Sequence, residues 1–407
     1  MNCRHCGSQL VHTFIDLGTV PPSNSYLTTA EVSGLEKRYP LKVFVCETCW
    51  LVQTEDCAAV DELFDAEYAY FSSTSSGWLA HARHYADKVI GSLKLTRSSF
   101  VVEIACNDGY LLKNFVSSRI PCLGIEPTVS TATAAEKLGV PVLRQFFGEA
   151  LGRRLATEGR QADLIIGNNV YAHVPDINDF TRGLKELLKP GGTITLEFPH
   201  LMRLIEDAQF DTIYHEHFSY LSLFTAVTIF ASAGLRVFDV EELPTHGGSL
   251  RLYGCHGTDV RQMSTSVSML LAREKRRGLQ TLEVYRGFQG RADAIKDDLL
   301  RFLRETKRGG RSVAAYGAAA KGNTLLNYAG VTSDLLPFVC DAAPSKQGKF
   351  MPGSHIPIRP PAALAERPPD YLLILPWNIA EEIRTQQAAL AAAGTKFVTA
   401  VPRLEVT

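Results

Sequence analysis

The chain has 407 residues, more than one ordinary hydrophobic core accommodates, so two or three domains are expected. Its composition, 45% hydrophobic and 21% charged, is that of a globular protein without low-complexity tracts or fixed-period repeats. The 42 basic and 43 acidic residues leave a formal net charge of -1, which excludes the basic footprint of a nucleic-acid binder and favours a small-molecule substrate.

The chain opens Met1-Asn2-Cys3-Arg4-His5-Cys6 without an apolar leader, and no stretch approaches ~18 uninterrupted apolar residues. A cytoplasmic location with no membrane partner is therefore expected. Nine cysteines, an odd number with no export signal, point to metal rather than disulfides. Cys3 and Cys6 form one C-x2-C pair and Cys46 and Cys49 a second. Four thiolates at that spacing predict a closed tetrahedral zinc site, which organises a small domain and has no open position for activating water. A zinc-binding domain is expected over 1–75.

From Ser99 an apolar strand, Phe100-Val101-Val102-Glu103-Ile104, runs into the turn Ala105-Cys106-Asn107-Asp108-Gly109 and then a helix beginning near Tyr110. A second strand, Cys122–Ile125, ends at Glu126, close to the ~20-residue offset at which an acid meets ribose hydroxyls. Further strands at 162–170, ending in Asn168 and Asn169, and at 192–198, after the turn Leu188-Lys189-Pro190-Gly191-Gly192, predict a doubly wound parallel sheet over 76–255. Its ligand belongs at the carboxyl ends of the strands. Glu103, Ala105, Asn107, Gly109, Tyr110, Glu126, Asn168 and Asn169 are the candidate cofactor contacts; the two asparagines are also compatible with simply closing a strand-to-helix turn.

Lys-Pro-Gly-Gly before a strand, and an acid on the glycine-turn strand, resemble class I methyltransferases. The resemblance implies S-adenosylmethionine as cofactor; alanine and cysteine where dinucleotide binders show glycine disfavour NAD.

The run Tyr214-His215-Glu216-His217-Phe218-Ser219-Tyr220 concentrates imidazoles, a carboxylate and phenols. Removing a proton beside a carbonyl and steadying the enolate calls for a near-neutral base and a donor to oxygen, roles that suit histidine and tyrosine. The spacing is not the H-E-x-x-H of zinc hydrolases. His173, just after the strand-end amides, is open between base, substrate donor and helix-start residue. Tyr68 and Tyr70 are open between capping the cleft and packing.

A charged helical stretch is expected from about Arg261 to Lys307, followed by a second Rossmann-like sheet over 256–407 with strands near 311–316, 336–341, 371–375 and 396–400. Lys321 stands where a helix begins after a glycine turn, a place suited to a pyrophosphate. Lys346 is open between phosphate contact and solvated surface.

Taken together, the two C-x2-C pairs, Tyr68-Ala69-Tyr70-Phe71-Ser72-Ser73, Asn107-Asp108-Gly109, Tyr214-His215-Glu216-His217, His246-Gly247-Gly248-Ser249-Leu250-Arg251 and Ala315-Tyr316-Gly317-Ala318-Ala319-Ala320-Lys321-Gly322-Asn323-Thr324 resemble the sugar C-methyltransferase family over essentially the whole chain. The resemblance implies C3 methylation of a nucleotide-linked 4-keto sugar, with His217 as leading base and Tyr214, Glu216, His173 and Tyr68 at active-site positions. Tyr70, His246, Arg251, Tyr316, Lys321, Asn323 and Lys346 become candidate substrate contacts. Ala105 departs from the glycine usual in the family's turn, and a mild perturbation is expected there. The alternatives weighed against this reading are O- or N-methylation on the same scaffold, and a non-catalytic zinc-containing binding module.

Overall fold

A computed structural model describes residues 1–55 and 71–407, so Cys57, Tyr68 and Tyr70 lie outside the described residues. The chain starts with an antiparallel meander of β1 (His12–Val20), β2 (Tyr39–Val45) and β3 (Val52–Thr54). Its inward residues, including Phe14, Leu17, Leu41 and Val43, are buried.

The central part begins with α1 (Ser76–Ser92), whose cap Ser75 accepts from the Trp78 amide at 3.2 Å. There follow β4 (Val101–Ile104), α2 (Leu112–Ser117), β5 (Cys122–Ile125), α3 (Val129–Lys137), β6 (Val142–Leu143), α4 (Glu149–Thr157) and β7 (Ala162–Asn168). Next come α5 (Ile177–Leu187), β8 (Leu188–Pro199), α6 (Leu201–Glu206), β9 (Ser219–Tyr220), α7 (Leu223–Ser232), β10 (Leu235–Leu243) and β11 (Ser249–His256). Helix α5 shows why these segments fold as they do. Asp176 caps it by accepting from the Asp179 amide, and Ile177, Phe180, Leu184 and Leu187 line one face buried against the sheet.

The seven-stranded sheet has the order β10-β11-β8-β7-β4-β5-β6, parallel except for β11, which runs antiparallel to both β8 and β10. The order reverses between β4 and β7, which opens a crevice at their carboxyl ends. One expectation changes: the Lys-Pro-Gly-Gly segment is not a turn ahead of the strand but part of β8. The register with β7 shifts between Ala162 and Leu164, so a bulge with Gly191 at φ 79° absorbs the extra residues without ending the pairing.

The charged stretch is likewise two helices, α8 (Thr265–Arg276) and α9 (Phe288–Arg308). The left-handed glycines Gly278 and Gly287 separate them, with a short helical turn at Leu282–Val284 in between. The last sheet takes β12 (Val313–Tyr316), then, after α10 (Ala320–Tyr328), β13 (Val339–Cys340), β14 (Ile358–Arg359), β15 (Tyr371–Ile374), β16 (Lys396–Thr399) and β17 (Glu405–Val406). Its order is β14-β13-β12-β15-β16-β17, with the reversal between β12 and β15.

The three sheets are not independent beads. Strand β9, from the central region, pairs with β3 and completes the first sheet as β1-β2-β3-β9. Phe14, Leu17 and Val43 of that sheet share one apolar core with Phe288 and Leu299 of α9 and with Val313 and Val398 of the last sheet. Cys3, Cys46 and Cys49 join the core of the central sheet instead. No helix among the described residues is long and apolar enough to cross a membrane.

Candidate active site and metal centre

At the metal centre the sulfurs of Cys3, Cys6, Cys46 and Cys49 all lie within 4.8 Å of one another. Cys3–Cys49 and Cys6–Cys46 are each 3.5 Å apart, close to the ~3.8 Å edge of a zinc–thiolate tetrahedron with ~2.3 Å bonds. Each knuckle ends in a left-handed residue, Gly7 after the first pair and Trp50 after the second. Gln53 donates to Cys3 Sγ at 3.2 Å and accepts from the Arg4 amide. The donor set therefore fits a closed zinc site.

That knuckle is hydrogen-bonded to the segments around His173 and His217. Arg4 donates to the Pro175 carbonyl and to the Thr54 carbonyl, and Asn178 at the start of α5 donates to the carbonyls of Arg4 and His5. Strand β3 follows Cys49 directly and pairs Gln53 with Ser219, while Thr54 Oγ1 donates to the His217 carbonyl at 3.2 Å. The four-cysteine knuckle thus contacts both the loop carrying His173 and the strand leaving His217.

At the crevice of the central sheet, Glu126 closes β5 and holds the turn: its Oε2 accepts from the Asn107 amide at 2.9 Å, and its Oε1 from the Thr128 amide and hydroxyl. Ala105 and Asn107 are left-handed at φ 56° and 49°, as is Gly109 at 77°. The cost of an alanine there, roughly 1–2 kcal/mol in that region, is carried by the turn. Asn107 and Asp108 accept from the amides of Ser72 and Ser73, so the segment after residue 70 is stitched to the turn.

Among the described residues, several buried polar atoms in this crevice find no hydrogen-bond partner. Both oxygens of Glu103 are buried without a hydrogen bond, and burial, with Asp108 and Glu126 nearby, pushes its carboxyl pKa well up. Neither amide atom of Asn168 has a partner. A ligand bringing donors and acceptors to the ends of β4 and β7 would satisfy them, which suits the ammonium and ribose of S-adenosylmethionine. Tyr110 is buried beside Trp78, with ring centroids 5.9 Å apart. Asn169 donates to His246 Nε2 at 3.1 Å, tying the crevice to the His246 loop.

The pocket itself is built around His217. Its Nδ1 donates to the Thr212 carbonyl at 2.8 Å, which leaves Nε2 as the basic nitrogen of the neutral ring. Tyr214 lies against it at 3.9 Å between centroids, and His173 meets it edge-on at 4.6 Å. Burial drives the His217 pKa well below its usual 6.5, and burial takes His173 and His246 to about 4. All three rings are therefore neutral near pH 7.

The structure gathers some predicted residues and separates others. Tyr214, His173, Asn169, His246 and His217 converge. Glu216 turns toward the N-terminal segment, where Oε1 accepts from Asn24 Nδ2 at 2.6 Å. His215 points away, to the carbonyls of Tyr39 and Pro40. Arg251 is buried in an ion pair with Glu197, which also bonds His81 and Thr245. Asn323 donates to the Ser23 carbonyl, and Lys346 to the Ala318 carbonyl. Tyr316 is buried at the end of β12.

Lys321 approaches this cluster from the first turn of α10. Its ammonium donates to Asn378 Oδ1 at 2.6 Å and lies 4.6 Å over the Trp377 ring. Trp377 Nε1 in turn donates to Asp211 at 2.7 Å, and a Cβ on Gly247 would come within 2.4 Å of the same indole. Sequence reasoning missed Asp211, Trp377, Trp78 and His81, because none belongs to a motif; their proximity is tertiary.

Comparison with known proteins agrees with this construction. Three family models match in order: a domain described as zinc binding over residues 3–64, a methyltransferase domain over 78–240, and a C-methyltransferase C-terminal domain over 244–402. The chain is 34% identical over 404 residues to C-methyltransferase NovU of Streptomyces niveus, covering 99% of this chain and 96% of the relative. Part of the chain resembles an S-adenosylmethionine-dependent methyltransferase from Clostridium acetobutylicum ATCC 824, with 10% identity, 44% of this chain, 92% of that one and a TM-score of 0.35. A similar likeness links it to magnesium protoporphyrin IX methyltransferase from Synechocystis PCC 6803, with 14% identity, 44% and 82% coverage and a TM-score of 0.35. With a relative matched over nearly its whole length and three family models in order along the chain, the chain belongs to the sugar C-methyltransferase family and is an S-adenosylmethionine-dependent methyltransferase with a zinc-binding domain.

Proposed function

We propose that the enzyme methylates C3 of a nucleoside-diphosphate-linked 4-keto deoxysugar through an enolate. S-adenosylmethionine supplies an electrophilic methyl group; Glu103, Asn107, Gly109, Tyr110, Glu126, Asn168 and Asn169 are the residues that would hold it, with Ala105 shaping the turn.

The observation that carries the reading is the state of His217: a neutral, buried imidazole whose Nδ1 is committed to Thr212, so that Nε2 is free to accept a proton. In the proposed step Nε2 takes the proton from the carbon beside the carbonyl. Tyr214 and His173 pack the base on two sides and limit its rotation. Burial keeps water from competing for the carbanion. The sugar lies between the facing crevices of the central and last sheets, His246 beside it, and its nucleotide toward the turn after β12, near Tyr316 and Lys346. Arg251, Asn323 and Glu216 act by holding neighbouring elements in place. Tyr68 and Tyr70 are proposed to close the cleft.

The test is product analysis after incubation with methyl-labelled S-adenosylmethionine and a panel of nucleotide-linked keto and hydroxy sugars. Mass spectrometry and NMR are expected to find label on carbon, from 4-keto substrates. Label on oxygen or nitrogen, or equal use of sugars without the carbonyl, would refute the reading.

A further inference from the structure

Lys321 occupies the first turn of α10, beside the point where strand order reverses between β12 and β15. Crevices at such reversals are where open α/β sheets bind ligands. A lysine there reads most simply as a phosphate contact, yet its side chain does not stay in its own crevice. It is partly buried, lies over the Trp377 face and reaches Asn378. An ammonium has three N–H donors, so Asn378 leaves two for another group.

Its neighbours come from the segment between α6 and β9. Asp211 fixes the indole on which Lys321 rests, and Asp211 Oδ1 is buried with no hydrogen bond among the described residues. The next residue, Thr212, supplies the carbonyl that fixes His217. One short turn, Phe210–Thr212, therefore sets both the base from one lobe and the seat of the ammonium from another. The Lys321 charge lies near enough to His217, His246 and Asp211 to bear on the titration of each.

We infer that Lys321 is the cation that steadies the substrate oxygen while His217 takes the proton from the adjacent carbon. The inference rests on the keto-substrate reading above and makes the C-terminal lobe a direct contributor to the chemistry. The C–H bond breaks, its proton goes to His217 Nε2, and its electron pair moves into the carbonyl, leaving an oxyanion against the ammonium. That pair then returns to form the bond to the transferred methyl, the carbonyl is restored, and the bonding pair of the donor stays on sulfur. A neutral imidazole brings no charge to that oxygen, whereas the Lys321 ammonium does.

The experiment uses the zinc-loaded full chain and its Lys321→Met and Lys321→Gln variants. Three quantities are read: solvent deuterium incorporation at the carbon beside the carbonyl at saturating keto sugar, turnover, and calorimetric affinity for the nucleoside diphosphate alone. Both variants remove a desolvated charge and should fold, which thermal melting checks. The expected result is a loss of roughly 10²- to 10³-fold in exchange and turnover, with nucleoside diphosphate affinity within about threefold. Exchange unchanged in both variants overturns the inference. Affinity down by about tenfold or more with exchange retained also overturns it and makes Lys321 a phosphate holder. Absence of exchange in the wild type with every keto sugar overturns the enolate reading and this inference with it.

Discussion

Replacing His217 by glutamine tests the base most directly. Glutamine fills similar space and can still donate to the Thr212 carbonyl, which His217 now meets at 2.8 Å, but it offers no basic nitrogen. Loss of a positioned general base costs roughly 10²- to 10⁴-fold in turnover. Cofactor affinity should be unchanged, since His217 is not among the residues proposed to hold S-adenosylmethionine. The pH profile gives a second, signed reading. Burial first, then the charge of His173, with His246 and Lys321 adding to it, lowers the His217 pKa. The active form is the neutral one, so kcat/KM should rise with pH along a limb well below 6.5 and be flat by neutrality. Burial also lowers the Lys321 pKa, to about 8, so a decline is expected above that value as the ammonium is lost. The assay is steady-state methyl transfer from labelled S-adenosylmethionine across pH 5 to 9. Near-normal turnover in the variant, or an acid limb at 6.5 or higher in the wild type, would refute the assignment.

Zinc removal should abolish turnover, because the metal knuckle reaches His217 through β3 and β9; metal content and rate measured during chelation should fall together, and activity in zinc-free protein would contradict this. Glu103→Gln should weaken S-adenosylmethionine binding roughly 10- to 100-fold, measured by calorimetry, because a carboxylate facing a cation is lost. The same substitution should stabilise the cofactor-free protein at neutral pH. A carboxyl whose pKa is raised by folding contributes stability fully below its unfolded value near 4.5 and loses it as pH rises, a slope that glutamine removes from a series of thermal melts. Gly247→Ala should lower stability by about 1–3 kcal/mol in denaturant titrations, from left-handed strain and contact with Trp377, and should displace His246.

The parts of the site legible in the chain are those written in local spacing. The C-x2-C pairs converge as their geometry requires, and Glu126 holds the turn it follows by one strand. Strand β9 is different: a two-residue pairing carries no periodicity, yet it decides how the zinc-binding part meets the acid–base loop. Alternation also fails between Ile213 and Phe218, where the backbone is irregular. His215 and His217, two residues apart, consequently face different neighbours, Tyr39 and Thr212. Lys321 was visible as a helix-start lysine, but its direction depends on Trp377 and Asp211, each from a different segment and neither part of a pattern.

The two larger sheets use one device twice, and the difference between the copies explains the first sheet. After β4, the Asn107 amide is held by Glu126 at the end of β5; after β12, the Ala318 amide is held at 2.7 Å by Asp341, just past the neighbouring strand β13. The first copy leaves buried polar atoms of Glu103 and Asn168 for a ligand. In the second, the carbonyl of Ala318 is taken by Tyr26 and Lys346, and Ser23 receives the amide of Asn323. The N-terminal segment thus occupies part of the second crevice, and from there Asn24 reaches Glu216 in the acid–base loop. A cleft formed only by two facing sheets would leave their relative position to one connection, β11 through α8 and α9. A strap bonded at one end to the turn of the last sheet and at the other to the loop of His217 adds a second tie, which is what the proposed joint action of Lys321 and His217 on one substrate requires.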